Sequence, residues 1–96
     1  MKEFFLNEKP VMALVTIRRS REDIYCSVIS REIDTTYAHT VKIVSRLEEE
    51  DLLKSEKKGR KKILELTEEG EECAERFIEI LSALEGPKMK EETSLI

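Results

Sequence analysis

Residues 27–53 contain two short stretches with helical periodicity, separated by three polar residues, and this spacing limits the fold more than any other feature. The first stretch, residues 28–33, follows Ser27, a residue type that favours the N-cap of a helix. The segment Asp34 to Thr36 is predicted to form a turn, because Asp tolerates left-handed backbone angles and Thr36 can cap the next helix. We therefore expect two consecutive helices joined by a tight turn.

The second helix of this pair is predicted from Tyr37 to about Glu50. Apolar and small residues recur in it at spacings of three and four, which is typical of one buried helical face. The members of this stripe are Thr40, Ile43, Val44 and Leu47. The opposite face is small and polar toward its N-terminal half and becomes acidic only at the end.

A basic hairpin is predicted directly after this helix. The turn is expected at Lys57-Lys58-Gly59-Arg60, where Gly59 can adopt a positive φ angle. Leu64 and Leu66 alternate with Ile63 and Glu65, so one face can pack on the body while the tip projects into solvent. Residues 54–62 carry six basic and one acidic side chain. Two helices, a turn and a charged hairpin in this order are typical of a winged helix.

The flanking segments complete a single domain over residues 1–84. A first helix is predicted over Pro10 to Arg19, and residues 23–26 are β-prone and fit a short third strand. Thr67 is expected to cap a last helix that runs to about Leu84, where Gly86-Pro87 would end it. Residues 85–96 are expected to be a polar, flexible tail. The predicted class is α+β and mostly helical: a three-helix body, a two-stranded wing with the short third strand, and a C-terminal helix.

Several short motifs over residues 10–84 resemble those of winged helix-turn-helix transcription regulators, most closely the MarR-like branch of archaea and bacteria. They are Ile29-Ser-Arg-Glu-Ile33, the cap Thr36, Lys42-Ile43-Val44 with Leu47-Glu48, Leu52-Leu53, and Leu66-Thr-Glu-Glu-Gly70. Asp34 and Asp51 stand where the family usually has Gly, and both can adopt left-handed angles. Val41 stands where the family often has a polar residue facing DNA. The resemblance implies a DNA-binding transcription regulator, in most cases a repressor, that acts as a homodimer on double-stranded DNA.

The residues themselves support a DNA site. A major groove accepts one α-helix, and side chains near the N-terminus of that helix meet the base edges. The candidates on this helix are Thr36, Tyr37, Ala38, Val41, Lys42, Ser45 and Arg46. The wing adds Lys57, Lys58, Arg60 and Lys61, which can follow phosphates or enter the minor groove. Two positions are open: Tyr37 reaches phosphate or covers the edge of the core, and Arg46 binds phosphate or pairs with a nearby acid.

Net charge does not exclude this site, although the whole chain carries −4. Residues 1–64 hold fourteen basic against eleven acidic side chains, whereas residues 65–96 hold three against ten. Phosphate binding depends on the local surface, so a basic end on an acidic body is compatible with DNA.

The last helix carries an apolar stripe wider than a three-helix body needs. It either folds back on the first helix or pairs with a second chain, and we expect a dimer interface there with Phe4, Phe5 and Leu6 sealing it. The predicted interface residues are Phe77, Ile80, Leu81 and Leu84.

Other functions have less support in the sequence. Cys26, Cys73 and the single histidine, His39, do not form a metal-ligand pattern, and the two cysteines are expected to be small core residues. We predict no cofactor, no membrane span and no enzymatic activity, since no nucleophile-base pair or phosphate-binding glycine loop is present. A cytoplasmic location is expected. The alternative to DNA binding is a winged helix that serves as a protein interaction module in a larger assembly.

Overall fold

Four helices and one antiparallel hairpin form the part of the chain that the computed structural model describes, which is Phe5 and residues 7–95, with side chains up to residue 84. In chain order the elements are α1 (Glu8–Arg19), α2 (Cys26–Glu32), α3 (Tyr37–Glu49), β1 (Leu53–Lys58), β2 (Lys61–Leu66) and α4 (Glu68–Leu95). Ile24 adds a single antiparallel bridge to Leu64 on β2. The winged-helix architecture and the one-bridge third strand are both confirmed.

The core lies where α1, α2, α3, β1 and β2 meet, and α4 covers it from the α1 side. Ala13, Leu14, Ile29, Leu47 and Ala74 have no exposed surface. The predicted stripe of α3 is confirmed, since its four members are at most 3% exposed. The single helical face of α3 therefore fixes how this helix sits on the body.

The start of α2 differs from the prediction. The helix begins at Cys26, because the backbone amides of Val28 and Ile29 both donate to the carbonyl of Tyr25, at 3.0 and 3.1 Å. Ser27 is therefore inside the first turn, and the prediction that it caps α2 was wrong. The first helix also begins earlier than predicted, at Glu8, which places Pro10 in its first turn.

The predicted end of α4 was also wrong. The helix does not stop before Gly86-Pro87 but continues through both residues to Leu95. A proline inside a helix removes one backbone hydrogen bond and costs about 3 kcal/mol, and a glycine costs about 1 kcal/mol, so both residues weaken a helix without forbidding it. Residues 85–95 are accordingly helical in the structure.

Thr67 and Gly70 join the wing to α4. The Thr67 amide donates to the carbonyl of Leu52 (3.1 Å), and its hydroxyl donates to the carbonyl of Asp51 (2.6 Å) and accepts from the amide of Gly70 (3.0 Å). The predicted cap is thus confirmed. Gly70 is buried so closely that an added Cβ would lie 1.8 Å from the Leu52 carbonyl oxygen, so only glycine fits at this junction.

The alternation predicted for β2 holds only in part. Leu64 faces the core at 2% exposure, as expected, but its neighbour Ile63 is also buried, at 7%. Ile63 points to the other face of the hairpin, where it pairs with Glu56. Each face of β2 therefore carries one buried residue near the body. Lys54 and Glu65 are exposed even at the base of the hairpin, and toward the tip every residue from Glu56 to Lys62 is exposed.

Candidate nucleic-acid interface

The turn between α2 and α3 is held by local hydrogen bonds. Asp34 adopts a φ angle of 52°, in the left-handed region expected for it. The Thr36 hydroxyl accepts the amide of His39 at 3.1 Å, so the predicted cap of α3 is confirmed. The buried hydroxyl of Thr40 donates to the Thr36 carbonyl at 2.9 Å, which satisfies the only buried polar side chain recorded among the described residues.

Lys9 gives the same turn a long-range support that the sequence did not indicate. From the first turn of α1, its ammonium group donates to the carbonyl of Ile33 and to that of Asp34, the latter at 3.1 Å. These carbonyls lie at the C-terminal end of α2, where a cation is electrostatically favoured. Lys9 thus connects α1 to the turn that precedes α3 and sets its orientation.

The exposed face of α3 contains all the residues predicted on it to meet DNA. Thr36, Ala38, Lys42 and Ser45 are exposed, and the side chains of Tyr37 and Val41 are 59% and 39% exposed. Tyr37 is therefore available to a partner and does not cover the core edge. Arg46 is exposed as well and forms an i,i+4 ion pair with Glu50 at 3.5 Å, which favours the acid-pairing alternative for this residue in the free protein.

The tip of the wing is basic and exposed. Gly59 has a φ angle of 62°, the positive angle predicted for it, and forms a two-residue turn with Arg60. The turn is shorter than predicted, because Lys57 and Lys58 are the last residues of β1 and pair with β2. All wing candidates are exposed: Lys57, Lys58, Arg60 and Lys61. Lys61 differs from the others because its ammonium group lies 4.9 Å from the ring centre of Tyr25, within cation–π distance. Lys61 therefore points back toward the body.

The wing and α3 form the two sides of one groove of about 380 Å³. Tyr37, Val41 and Ser45 line it from α3, and Arg60 with Lys61 line it from the wing. Glu48 lies in the same groove and contacts the wing through Lys62 (3.7 Å) and Ser55 (3.2 Å). Five candidates from two separate elements therefore share one surface. The other candidates, which are exposed but do not line the groove, are Thr36, Ala38, Lys42 and Arg46 on the α3 side and Lys57 and Lys58 on the wing.

Four contacting residues in this region were not among the sequence candidates: Tyr25, Glu48, Ser55 and Lys62. Tyr25 and Lys62 are more than thirty residues apart in sequence, and Glu48 looked like the acidic end of a solvated helix. The only signal in the sequence was the net charge of +5 over residues 54–62, which marked the wing as a binding surface but not these contacts.

The two cysteines lie on α2 and α4, each against the core. Among the described residues, no group of three or more His, Cys, Asp or Glu side chains is arranged to bind a metal ion. Cys26 and Cys73 are free thiols, half-buried against the core, and burial raises the pKa of each thiol above its ordinary value. Protonated thiols at neutral pH are poor nucleophiles and poor ligands.

A family model described as a winged helix DNA-binding domain matches residues 6–70, which contain α1 to α3 and the whole wing. The chain belongs to this family. The matched region includes every candidate of α3 and of the wing, so the groove lies within the part of the chain that matches the family.

Solved structures extend the comparison beyond residue 70. AF1382 from Archaeoglobus fulgidus is 25% identical, with a TM-score of 0.78 over 88% of this chain and 98% of that one. MepR from Staphylococcus aureus in complex with DNA is 18% identical, with a TM-score of 0.74 over 97% and 79%. An apo variant of ZitR from Lactococcus lactis is 16% identical, with a TM-score of 0.84 over 94% and 69%. MepR and ZitR are MarR-family regulators, so this chain has the fold of that branch.

The α1–α4 side of the molecule lies outside this groove. Phe77 packs within the chain, its ring 5.4 Å from that of Phe5, and Arg18 of α1 bonds to Glu75 of α4 at 2.7 Å. Leu81 is half-buried beside α1, but Ile80 and Leu84 are 54% and 59% exposed. The last helix thus folds back on α1 and still exposes apolar side chains. Phe4 and Leu6, which were predicted to seal the dimer interface, lie outside the described residues.

No helix in the described part of the chain combines the length and apolar character needed to cross a membrane.

Proposed function

We propose that this protein is a sequence-specific transcription regulator, a repressor, that binds double-stranded DNA as a homodimer. The observation that carries the proposal is the shared groove, which presents the exposed face of α3 and the basic wing to one partner. In a duplex complex, α3 enters the major groove and the wing follows the backbone or the adjacent minor groove.

The candidates have distinct roles in this proposal. Thr36 and the N-terminus of α3 receive a phosphate, and Lys42 donates to guanine or to phosphate. Val41 and Ala38 offer only apolar contact to a thymine methyl group, which gives little discrimination between bases. Lys57, Lys58 and Arg60 neutralise phosphates. Much of the affinity then comes from the wing, while sequence selection depends on few base contacts, on half-site spacing and on DNA shape.

The exposed apolar residues of α4 support the homodimer. Ile80 and Leu84 lie beside the half-buried Leu81, and an apolar patch on a small domain is stabilised by a second copy of itself. Phe77 contributes at the edge of this patch while it packs on Phe5. A two-fold dimer would place its recognition helices about 34 Å apart, one turn of DNA, which predicts a pseudo-palindromic operator.

DNA binding is tested by titrating a labelled duplex from the promoter of the protein's own gene at several salt concentrations. We expect Lys42→Ala and Lys57/Lys58/Arg60→Ala to weaken binding, and the triple variant to reduce the salt slope by about three. A matched control, Arg19/Arg21/Arg76→Ala, removes the same charge from exposed positions on α1, the following loop and α4. Equal losses in control and wing variants would mean that only net charge matters. Negligible duplex binding at low salt would instead favour the protein interaction module.

The dimer is tested separately by sedimentation equilibrium. Ile80→Glu/Leu84→Glu is expected to be monomeric, because two carboxylates in an apolar interface are costly to desolvate. Val41→Glu places a similar change on an exposed apolar residue of α3 and should leave the dimer intact. A dimer in both variants would place the interface elsewhere.

A further inference from the structure

Glu48 in the last turn of α3 contacts both strands of the wing. One carboxylate oxygen accepts the hydroxyl of Ser55 on β1 at 3.2 Å, and the other lies 3.7 Å from the ammonium group of Lys62 on β2. Ser55 pairs with Leu64, two residues from Lys62, so Ser55 and Lys62 lie on the same face of the hairpin. We refer to Glu48, Ser55 and Lys62 as the Glu48 bridge.

The position of this carboxylate is unexpected for a surface that binds a polyanion. Glu48 lines the groove together with Ser45 of α3 and Arg60 of the wing. A negative charge there repels phosphates and should lower the affinity for DNA. Both carboxylate oxygens of Glu48 contact the wing, which indicates that this side chain serves to hold the hairpin in place.

The wing needs such a support because its outer half has no apolar anchor. From Glu56 to Lys62 every residue is exposed, whereas the hairpin is held at its base by Leu53 and Leu64. Ordering a mobile segment during binding costs conformational entropy and lowers the affinity. A wing that is already held in place avoids this cost.

We propose that Glu48 is a positioning residue that fixes the wing relative to α3, so that both elements meet one duplex together. The proposal rests on the proposed function for its consequence in DNA binding. The bridge is partly exposed, with side chains 32% exposed at Glu48 and 59% at Lys62, so its strength is that of a surface ion pair. Such pairs contribute at most about 1 kcal/mol, which corresponds to about fivefold in affinity.

The sign of the effect separates positioning from simple electrostatics. Glu48→Ala is expected to bind the duplex more weakly than wild type, by up to about fivefold, although it removes a negative charge. Glu49→Ala removes the same charge from the next, exposed position and should bind as tightly as wild type or slightly more tightly. If Glu48→Ala binds as tightly as Glu49→Ala, Glu48 does not position the wing.

Conservative variants distinguish the bridge from a general loss of stability. Glu48→Gln keeps an acceptor for Ser55 and should recover part of the lost affinity, while Ser55→Ala should lose part of it. In a double-mutant cycle, Glu48→Ala with Lys62→Ala should lose less than the sum of the two single losses, because one interaction is removed twice. Additive losses would show that Lys62 acts on DNA alone and would overturn the proposal.

A measurement on the free protein keeps this proposal distinct from the proposed function. Residual dipolar couplings of the backbone amides give the orientation of β1 and β2 relative to α3. In Glu48→Ala, motion of the hairpin should reduce the size of its averaged couplings. The couplings of α3 should stay at their wild-type values, and both sets should be unchanged in Glu49→Ala. Unchanged hairpin couplings would overturn the positioning role. Averaged couplings in a protein that binds no duplex would support it and refute DNA binding.

Discussion

In the helix-turn-helix, four side chains of α3 are at most 3% exposed, whereas every residue of the wing from Glu56 to Lys62 is exposed. The orientation of α3 is thus set by apolar burial, by the cap at Thr36 and by Lys9 at the preceding turn. The outer wing is oriented by polar contacts of Glu48 and by Lys61 against Tyr25. Substitutions on the buried face of α3 should therefore change the stability of the fold, whereas substitutions on the wing should change the affinity for DNA.

The largest effect is expected inside the helix-turn-helix. Leu47→Ala removes a fully buried side chain and should lower the free energy of unfolding by about 2–5 kcal/mol, from lost apolar burial and the cavity left behind. Val41→Ala, on the exposed face of the same helix, is the control and should change it by less than about 0.5 kcal/mol. Urea denaturation measures both. Equal changes would refute the assignment of the two faces.

Gly59 precedes β2 at the open tip of the wing, and Gly70 follows β2 at the packed junction with α4, so a Cβ at each position tests the difference in packing between the two regions. Gly70→Ala should destabilise by about 1–3 kcal/mol or more, because its Cβ would meet the Leu52 carbonyl and the backbone must move. Gly59→Ala, at the open tip of the wing, meets nothing within 4 Å and should cost about 1 kcal/mol from its positive φ angle alone. Gly59→Asn should recover part of that loss. A greater loss at Gly59 would contradict the tight junction.

The cap of α3 should have an intermediate effect. Thr36→Ala removes the acceptor for the His39 amide and is expected to cost about 1 kcal/mol in thermal or urea unfolding. Thr36→Ser retains the hydroxyl and should remain near wild-type stability. If Thr36→Ser loses as much as Thr36→Ala, the hydroxyl is not the source of the stabilisation.

The smallest effect on stability is expected at the wing tip. Lys57/Lys58/Arg60→Ala should change the free energy of unfolding by at most about 0.5 kcal/mol, because exposed side chains contribute little. The same variant is expected to lose DNA affinity in the titration described above. A large loss of stability would mean that the tip takes part in holding the body together.

Local features of the fold followed from the sequence because their determinants are neighbours in the chain. The cap Thr36 acts on His39, three residues away, and the left-handed angles of Asp34 and Gly59 depend on the residue itself. The buried stripe of α3 and the basic wing followed from spacing and from charge counts. The end of α4 was missed because Gly86-Pro87 is a local stop signal that the helix overrides.

The order of the elements, the turn, the capped helix and the cationic tip of the wing all follow from residue types and their spacing in the chain. Which of these features act together depends on how the elements pack. Lys9 reaches carbonyls 24 and 25 residues away, Lys61 lies on Tyr25, and Glu48 joins α3 to both strands of the wing. Such contacts depend on how helices and hairpin pack, and a periodic pattern records only which face of an element is buried, not which residue it meets.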